Sequence, residues 1–275
     1  MLGEGMFRRV PSIAAAAIWW AAALWPAHAD TQLVSIQTPR GVKQAFLLIR
    51  PAKPAASVIL FAGGHGALGL TSASSMSWGA GNFLVRSRDR FAAHNFAVAV
   101  IDAPSDHPHG MDRGFRMSGA HASDIVALAD YLKREIGAPV WLIGTSRGTL
   151  SAAAGAIAAR NVDGLVLTST VTRSRPRGKM AQHRRDSVTD MSLSRIAVPT
   201  LIMSHRHDGC EVTPSADAPL LKQRLAKASR VEIVLLDGGV PPQSEPCEAR
   251  SQHGFLGIED QAVNAIAAFI TANRR

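Results

Sequence analysis

The chain has 275 residues and carries 30 Lys and Arg against 21 Asp and Glu, a formal net charge of +9. That excess suits an anionic substrate or an envelope surface, but no recognisable nucleic-acid-binding motif accompanies it. Nucleic acid is therefore excluded as a partner, and the charge reads as a solubilising surface. The length fits one large α/β domain with a substantial core.

In chain order, the first segment reads as a leader. Arg8 and Arg9 form a positive start, Ile13 to Leu24 is apolar, and Ala27-His28-Ala29 is a small-x-small cleavage signal. This predicts a signal peptide over residues 1–29 and a mature domain over 30–275 in a secreted or periplasmic location. The apolar run is short for a bilayer span of about 20 residues, and Pro26 comes directly after it. No later stretch is long and apolar enough, so no stable membrane span is expected. The leader takes Glu4, Arg8 and Arg9 with it, which leaves +8 of the formal +9.

Beyond the leader, short apolar runs alternate with helical patterns, the sign of a mostly parallel sheet covered by helices on both faces. Candidate strands are Leu33–Gln37, Ala45–Ile49, Ser57–Phe61, Ala97–Ile101, Val140–Ile143, Gly164–Leu167, Thr200–Met203 and Val231–Leu235. The first two lie too close together for a crossover helix and are expected to pair antiparallel. Candidate helices are Asn82–Ala93, Gly119–Ile136, Arg147–Ala159, Ala216–Ala228 and Glu259–Ala272. In the second of these, Ile125, Leu128, Ala129 and Leu132 recur at helical spacing, a core-facing stripe. Gly66 to Ala80 and Val171 to Arg195 read as irregular. The latter carries Arg173, Arg175, Arg177, Lys179, Arg184 and Arg185 and is too short for a cap domain of any size. Its charges read as a solvated face, with a carboxylate-recognising rim as the alternative. The expected fold is an eight-stranded, mostly parallel α/β sheet with little or no cap.

The most informative segment is Gly144-Thr145-Ser146-Arg147-Gly148, which comes after the apolar run Pro139–Leu142 and precedes the small-residue run Leu150–Ala154. A strand, a Gly-x-Ser-x-Gly turn and a helix in that order form a nucleophile elbow. The sharp reversal strains the serine and leaves no room for side chains two residues away on either side. A serine hydroxyl is a poor nucleophile until a histidine takes its proton and an acid orients that histidine. Asp208 comes after the strand Thr200–Met203, and His253 lies after the last strand and before the terminal helix. The order Ser, Asp, His is the one the elbow demands, and groups at the carboxyl ends of open α/β strands converge there. Asp102 and Asp106, after the fourth strand, are the fallback acids.

These motifs, in this order and strand context, make the chain from about Ser57 onward resemble the α/β-hydrolase superfamily, and more narrowly its small, cap-poor dienelactone-hydrolase and esterase members. The resemblance implies Ser146 as nucleophile, His253 as general base and then acid, and Asp208 as the orienting carboxylate. It also implies an oxyanion hole made of the Arg147 N–H and a second N–H from Phe61-Ala62-Gly63-Gly64-His65-Gly66. That second donor is Gly64 or His65. A phosphate site is the other use of such a loop, but neither Gly-x-Gly-x-x-Gly nor a Lys-Ser/Thr ending is present. His107-Pro108-His109 and His205-x-His207-Asp208 lack helical spacing or a thiolate partner, so no metal is expected, and no cofactor.

Cys210 and Cys247 are the only cysteines. In an exported chain the pair predicts a disulfide, with two free buried thiols as the alternative. Cys210 lies two residues after Asp208 and Cys247 six before His253, so the bridge would clamp the acid loop to the base loop. The expected activity is cleavage of a small carboxylic ester, anionic if the basic segment takes part, through an acyl-enzyme. The alternatives are a peptidase or amidase using the same three residues, and a non-catalytic binding protein on this fold.

Overall fold

The computed structural model describes residues 1–2, 30–174 and 185–274. Residues 3–29 of the predicted leader and 175–184 of the basic segment lie outside the described residues. In chain order the elements are β1 (Asp30–Gln37), β2 (Lys43–Arg50), β3 (Ala56–Phe61), β4 (Leu70–Ser72), β5 (Ser75–Met76), α1 (Phe83–Arg86), α2 (Arg88–Ala93) and β6 (Phe96–Ile101). They continue with α3 (Arg113–Arg116), α4 (Gly119–Ile136), β7 (Val140–Thr145), α5 (Gly148–Ala158) and β8 (Gly164–Thr168). The last are β9 (Thr200–His205), α6 (Ala218–Arg224), β10 (Val231–Leu236) and α7 (Glu259–Ala272).

Eight strands form one sheet in the order β1-β2-β6-β3-β7-β8-β9-β10. β1 and β2 pair antiparallel, as expected from their short connection, and β2 also pairs antiparallel with β6. From β6 to β10 every neighbouring pair is parallel. Every residue of β3, β6 and β7 is buried, which explains why these strands read as continuous apolar runs rather than alternating ones. Their side chains nevertheless alternate between two cores. Val58, Leu60, Trp141 and Ile143 pack with α1, α2 and α7 on one face, while Ile59, Phe61, Val140 and Leu142 pack with α4, α5 and α6 on the other. The stripe Ile125, Leu128, Ala129 and Leu132 is fully buried in the second core.

The departures from the sequence expectation are local. The segment Gly66 to Ala80 holds a small hairpin, β4 with β5. It is anchored at long range: the Asp102 carboxylate accepts the N–H groups of Leu68 (2.6 Å) and Leu70 (2.9 Å). The single helix expected over Asn82–Ala93 breaks into α1 and α2 at Ser87, whose ψ of 2° leaves the helical well. Helix α6 starts at Ala218, after a 3-10 turn over Ser215–Asp217, because Pro219 has no N–H to give and is tolerated only in a first turn. Helix α3 is a single turn capped by Asp112, whose side chain accepts from Phe115 N–H; it is too short to leave a periodic pattern.

Candidate active site

Only Ser146 and Arg147 separate β7 from α5. Ser146 adopts φ 52°, a left-handed conformation that strains any residue with a Cβ. The flanking glycines answer to close approaches: a Cβ on Gly144 would run into the Gly148 backbone, and one on Gly148 into the Phe61 carbonyl. The strained residue is tied down on both sides. Its N–H donates to Thr168 O (3.0 Å), and its carbonyl accepts from the Thr149 N–H (3.0 Å) and hydroxyl (2.6 Å).

Asp208 and His253 arrive on two loops at the same end of the sheet. Asp208 comes after β9, and His253 lies in a 3-10 turn, Gln252–Gly254, between β10 and α7. The turn is fixed by Ser251 Oγ, which accepts the His253 N–H (3.2 Å), and by Ser169 Oγ, which donates to the His253 carbonyl (2.8 Å). His253 Nδ1 lies 3.0 Å from Asp208 Oδ2 and 3.3 Å from Oδ1. The Asp208 side chain is wholly buried, so it needs donors. Besides His253 it accepts the Cys210 N–H (2.9 Å) and the Thr213 hydroxyl (3.0 Å). A carboxylate so placed fixes the imidazole proton on Nδ1 and leaves Nε2 as a lone pair. Nε2 is buried and has no hydrogen-bond partner among the described residues.

Ser146 and His253 line one cavity of about 490 Å³. Gly63, Gly64, Trp78 and Phe83 contribute to its lining. Of the two candidates for the second oxyanion donor, Gly64 faces this cavity, whereas the His65 ring packs against Trp78 (centroids 3.8 Å apart) and its Nδ1 accepts the Ala67 N–H. Burial, then the charges of Arg116 and Arg147, lower the basicity of His65. Arg147 itself is half-buried at the start of α5.

Cys210 and Cys247 form a disulfide. Cys247 lines the cavity and the Cys210 N–H binds Asp208, so the bridge joins the acid loop to the wall beside His253. The fallback acids are engaged elsewhere. Asp102 holds the backbone N–H groups of Leu68, Leu70 and Ala103, and Asp106 pairs with Arg40 at 2.8 Å. Among the described residues no group of three or more His, Cys, Asp or Glu could hold a metal ion. His205 is turned to backbone, with Nε2 on Gly238 O and Nδ1 accepting the His207 N–H. Arg173 of the basic segment is committed to Asp217 (2.8 Å), which answers for that residue the question of a free carboxylate-binding rim. No helix of the described residues is long and apolar enough to cross a membrane.

Several residues that build the site carried no sequence signal. Arg116 is fully buried; it donates to Ser151 Oγ on α5 (2.9 Å) and to the carbonyls of Ala62 (3.2 Å) and Gly64 (3.4 Å). It thereby joins the glycine loop to α5, and burial, with Arg147 adding to it, lowers its pKa to about 9. Arg86 donates to the carbonyls of Gly254 (2.6 Å) and Ala249 (3.2 Å), bracing the histidine loop, and pairs with Glu259. Thr213 was equally silent, a lone threonine in a polar loop. Asn82 did have a trace: an Asn directly before Phe-Leu-Val is a helix N-cap pattern.

No protein-family model and no curated protein matches this sequence. Solved structures do resemble it. An esterase of Pyrococcus furiosus superposes with a TM-score of 0.62 at 15% identity, covering 89% of this chain and 93% of that one. A dienelactone hydrolase of Anabaena variabilis gives 0.60 at 15% identity, with 90% and 100% covered. A puromycin-hydrolyzing peptidase of Mycobacterium tuberculosis gives 0.63 at 14% identity, with 89% of this chain but only 40% of that one covered.

Proposed function

We propose that this chain, which has the α/β-hydrolase fold, is an exported serine hydrolase that cleaves small carboxylic esters through an acyl-enzyme. The observation that carries the reading is the conjunction at one cavity of a strained Ser146 and an Asp208–His253 pair whose Nε2 has no partner among the described residues. On this reading Ser146 Oγ attacks the ester carbonyl while His253 Nε2 takes its proton, and Asp208 stabilises the imidazolium. The carbonyl oxygen becomes an oxyanion held by backbone N–H groups of Arg147 and Gly64. His253 then protonates the leaving alcohol, and a water activated by the same Nε2 releases the acid. The esterases and the dienelactone hydrolase among the neighbours favour an ester over an amide, and they match this chain over nearly their whole length. Export rests on the sequence of the leader, supported by the Cys210–Cys247 bridge, since disulfides persist in oxidising compartments.

The test is hydrolysis of aryl esters and aminoacyl anilides beside the Ser146→Ala variant, with a fluorophosphonate probe read by mass spectrometry. Ester turnover that vanishes in the variant, with the probe on Ser146, is the expected result. An unchanged rate in the variant would overturn the reading, and turnover of anilides alone would replace the esterase by a peptidase.

A further inference from the structure

We propose that Asn82 supplies a side-chain donor to the oxyanion, in addition to the two backbone N–H groups. The inference rests on the reading of Ser146 as nucleophile. Asn82 is the N-cap of α1, and its Oδ1 accepts the Leu84 N–H at 3.2 Å. A backbone N–H at a helix start requires an acceptor, so this bond fixes which end of the amide faces away. The end left over is Nδ2, two N–H donors and no acceptor.

Gly63 locates Nδ2. A Cβ on Gly63 would stand 3.0 Å from Ser146 Cβ, 3.2 Å from the Thr145 carbonyl and 3.4 Å from Asn82 Nδ2. Gly63 therefore runs close against both Ser146 and the amide, with no room for a side chain between them, and this close approach sets Nδ2 beside the nucleophile at the cavity wall. Asn82, Gly63, Gly64, Ser146 and His253 all line the same cavity. The position is rigid for two reasons: the cap locks the Asn82 side chain, and Phe83, Leu84 and Val85 behind it are buried in the core. A donor locked before the reaction stabilises developing charge without reorganising, which is what an oxyanion donor must do. Asn82 touches the oxygen of the tetrahedral intermediate and takes no proton; the covalent steps remain those of Ser146 and His253.

The two roles of Asn82 can be separated because Ser and Asp cap helices about as well as Asn. Asn82→Ser keeps the cap and removes the amide donor; Asn82→Asp keeps the cap and turns a carboxylate toward the oxyanion. The expected result is a fall in kcat of about 10²-fold in Asn82→Ser, and a larger one in Asn82→Asp, with KM within a fewfold and an unchanged melting temperature. Phenylboronic acid, which forms a tetrahedral anion on an active serine, should lose inhibitory potency in Asn82→Ser in proportion to kcat. A merely structural role would leave the boronate inhibition constant where it was. A kcat within twofold of the parent in Asn82→Ser, or a lower kcat with boronate inhibition unchanged, overturns the proposal while Ser146→Ala remains dead. Full activity in Ser146→Ala would overturn the nucleophile assignment and this proposal together.

Discussion

At the scale of single residues, the acid of the site is held by more than its partner histidine. Asp208 is buried with three donors, and only one of them, His253 Nδ1, takes part in the proposed chemistry. Thr213 Oγ1 lies 3.0 Å from Asp208 Oδ2 and 3.1 Å from His253 Nδ1, so it braces the contact between the two. Asp208→Asn would present an amide where a carboxylate is needed and favour the wrong imidazole tautomer; a fall of about 10⁴-fold in kcat is expected. Thr213→Val removes only the brace. It leaves Asp208 with two donors, so kcat should fall about 3- to 10-fold, an effect of about 1 kcal/mol, with KM unchanged. Steady-state kinetics on one aryl ester measures both. Equal losses in the two variants would mean that Thr213 is part of the chemistry rather than its support.

At the scale of elements, the disulfide connects two loops that the sheet alone leaves independent. Asp208 hangs from the end of β9 and His253 from the turn before α7, and Cys210–Cys247 spans 37 positions between those loops. Replacing both cysteines by alanine should cost about 2–4 kcal/mol of stability and lower kcat more than it raises KM, because it loosens acid against base. Chemical denaturation and kinetics on the double variant check this; a stability loss with unaltered kcat would confine the bridge to a structural role. The bridge was legible in the sequence, and so were the loops that carry Ser146, Asp208 and His253 to one end of the sheet: Ser146 and Asp208 come just after strand patterns, and His253 lies in the polar loop before the terminal helix. The eight sheet strands were legible as short apolar runs, and α4 and α7 matched residue for residue because each has a complete apolar stripe. What the sequence hid depends on contacts distant along the chain. Hairpin β4–β5 hangs on Asp102 more than thirty positions away, and Arg116 reaches Ala62 from 54 positions away. No local pattern records such a partner. Asn82 lay between: its cap was written in the sequence, its neighbour Ser146 was not.

For the molecule as a whole, three buried or paired groups make the fold sensitive to acid with one common sign. His121 is wholly buried on α4, with Nε2 2.9 Å from Ser151 Oγ, and burial, then the charges of Arg116 and Arg40, lower its pKa to about 3. Its unfolded value is 6.5, so between those limits the unfolded chain binds a proton that the folded chain refuses. The stability that a neutral His121 allows is thus fully present above about pH 6.5 and lost as pH falls toward 3, by at most about 1.4 kcal/mol per pH unit. Asp106 and Asp217 act later. The hydrogen bonds from Arg40 and from Arg173 hold their carboxyls below the usual range. Their contribution is present above about pH 4 and disappears below it. The melting temperature should therefore begin to drop near pH 6.5, before any carboxylate titrates, and steepen below pH 4. In His121→Gln, which keeps an acceptor for Ser151 but cannot take a proton, the first limb should shrink to the part that His65, also lowered by burial, contributes, while the second persists. Thermal melts across pH 3 to 8 decide the matter: parallel profiles for parent and variant would remove His121 as the source of the early limb. An early limb absent from both proteins would mean that water reaches the imidazole and lets it protonate in place.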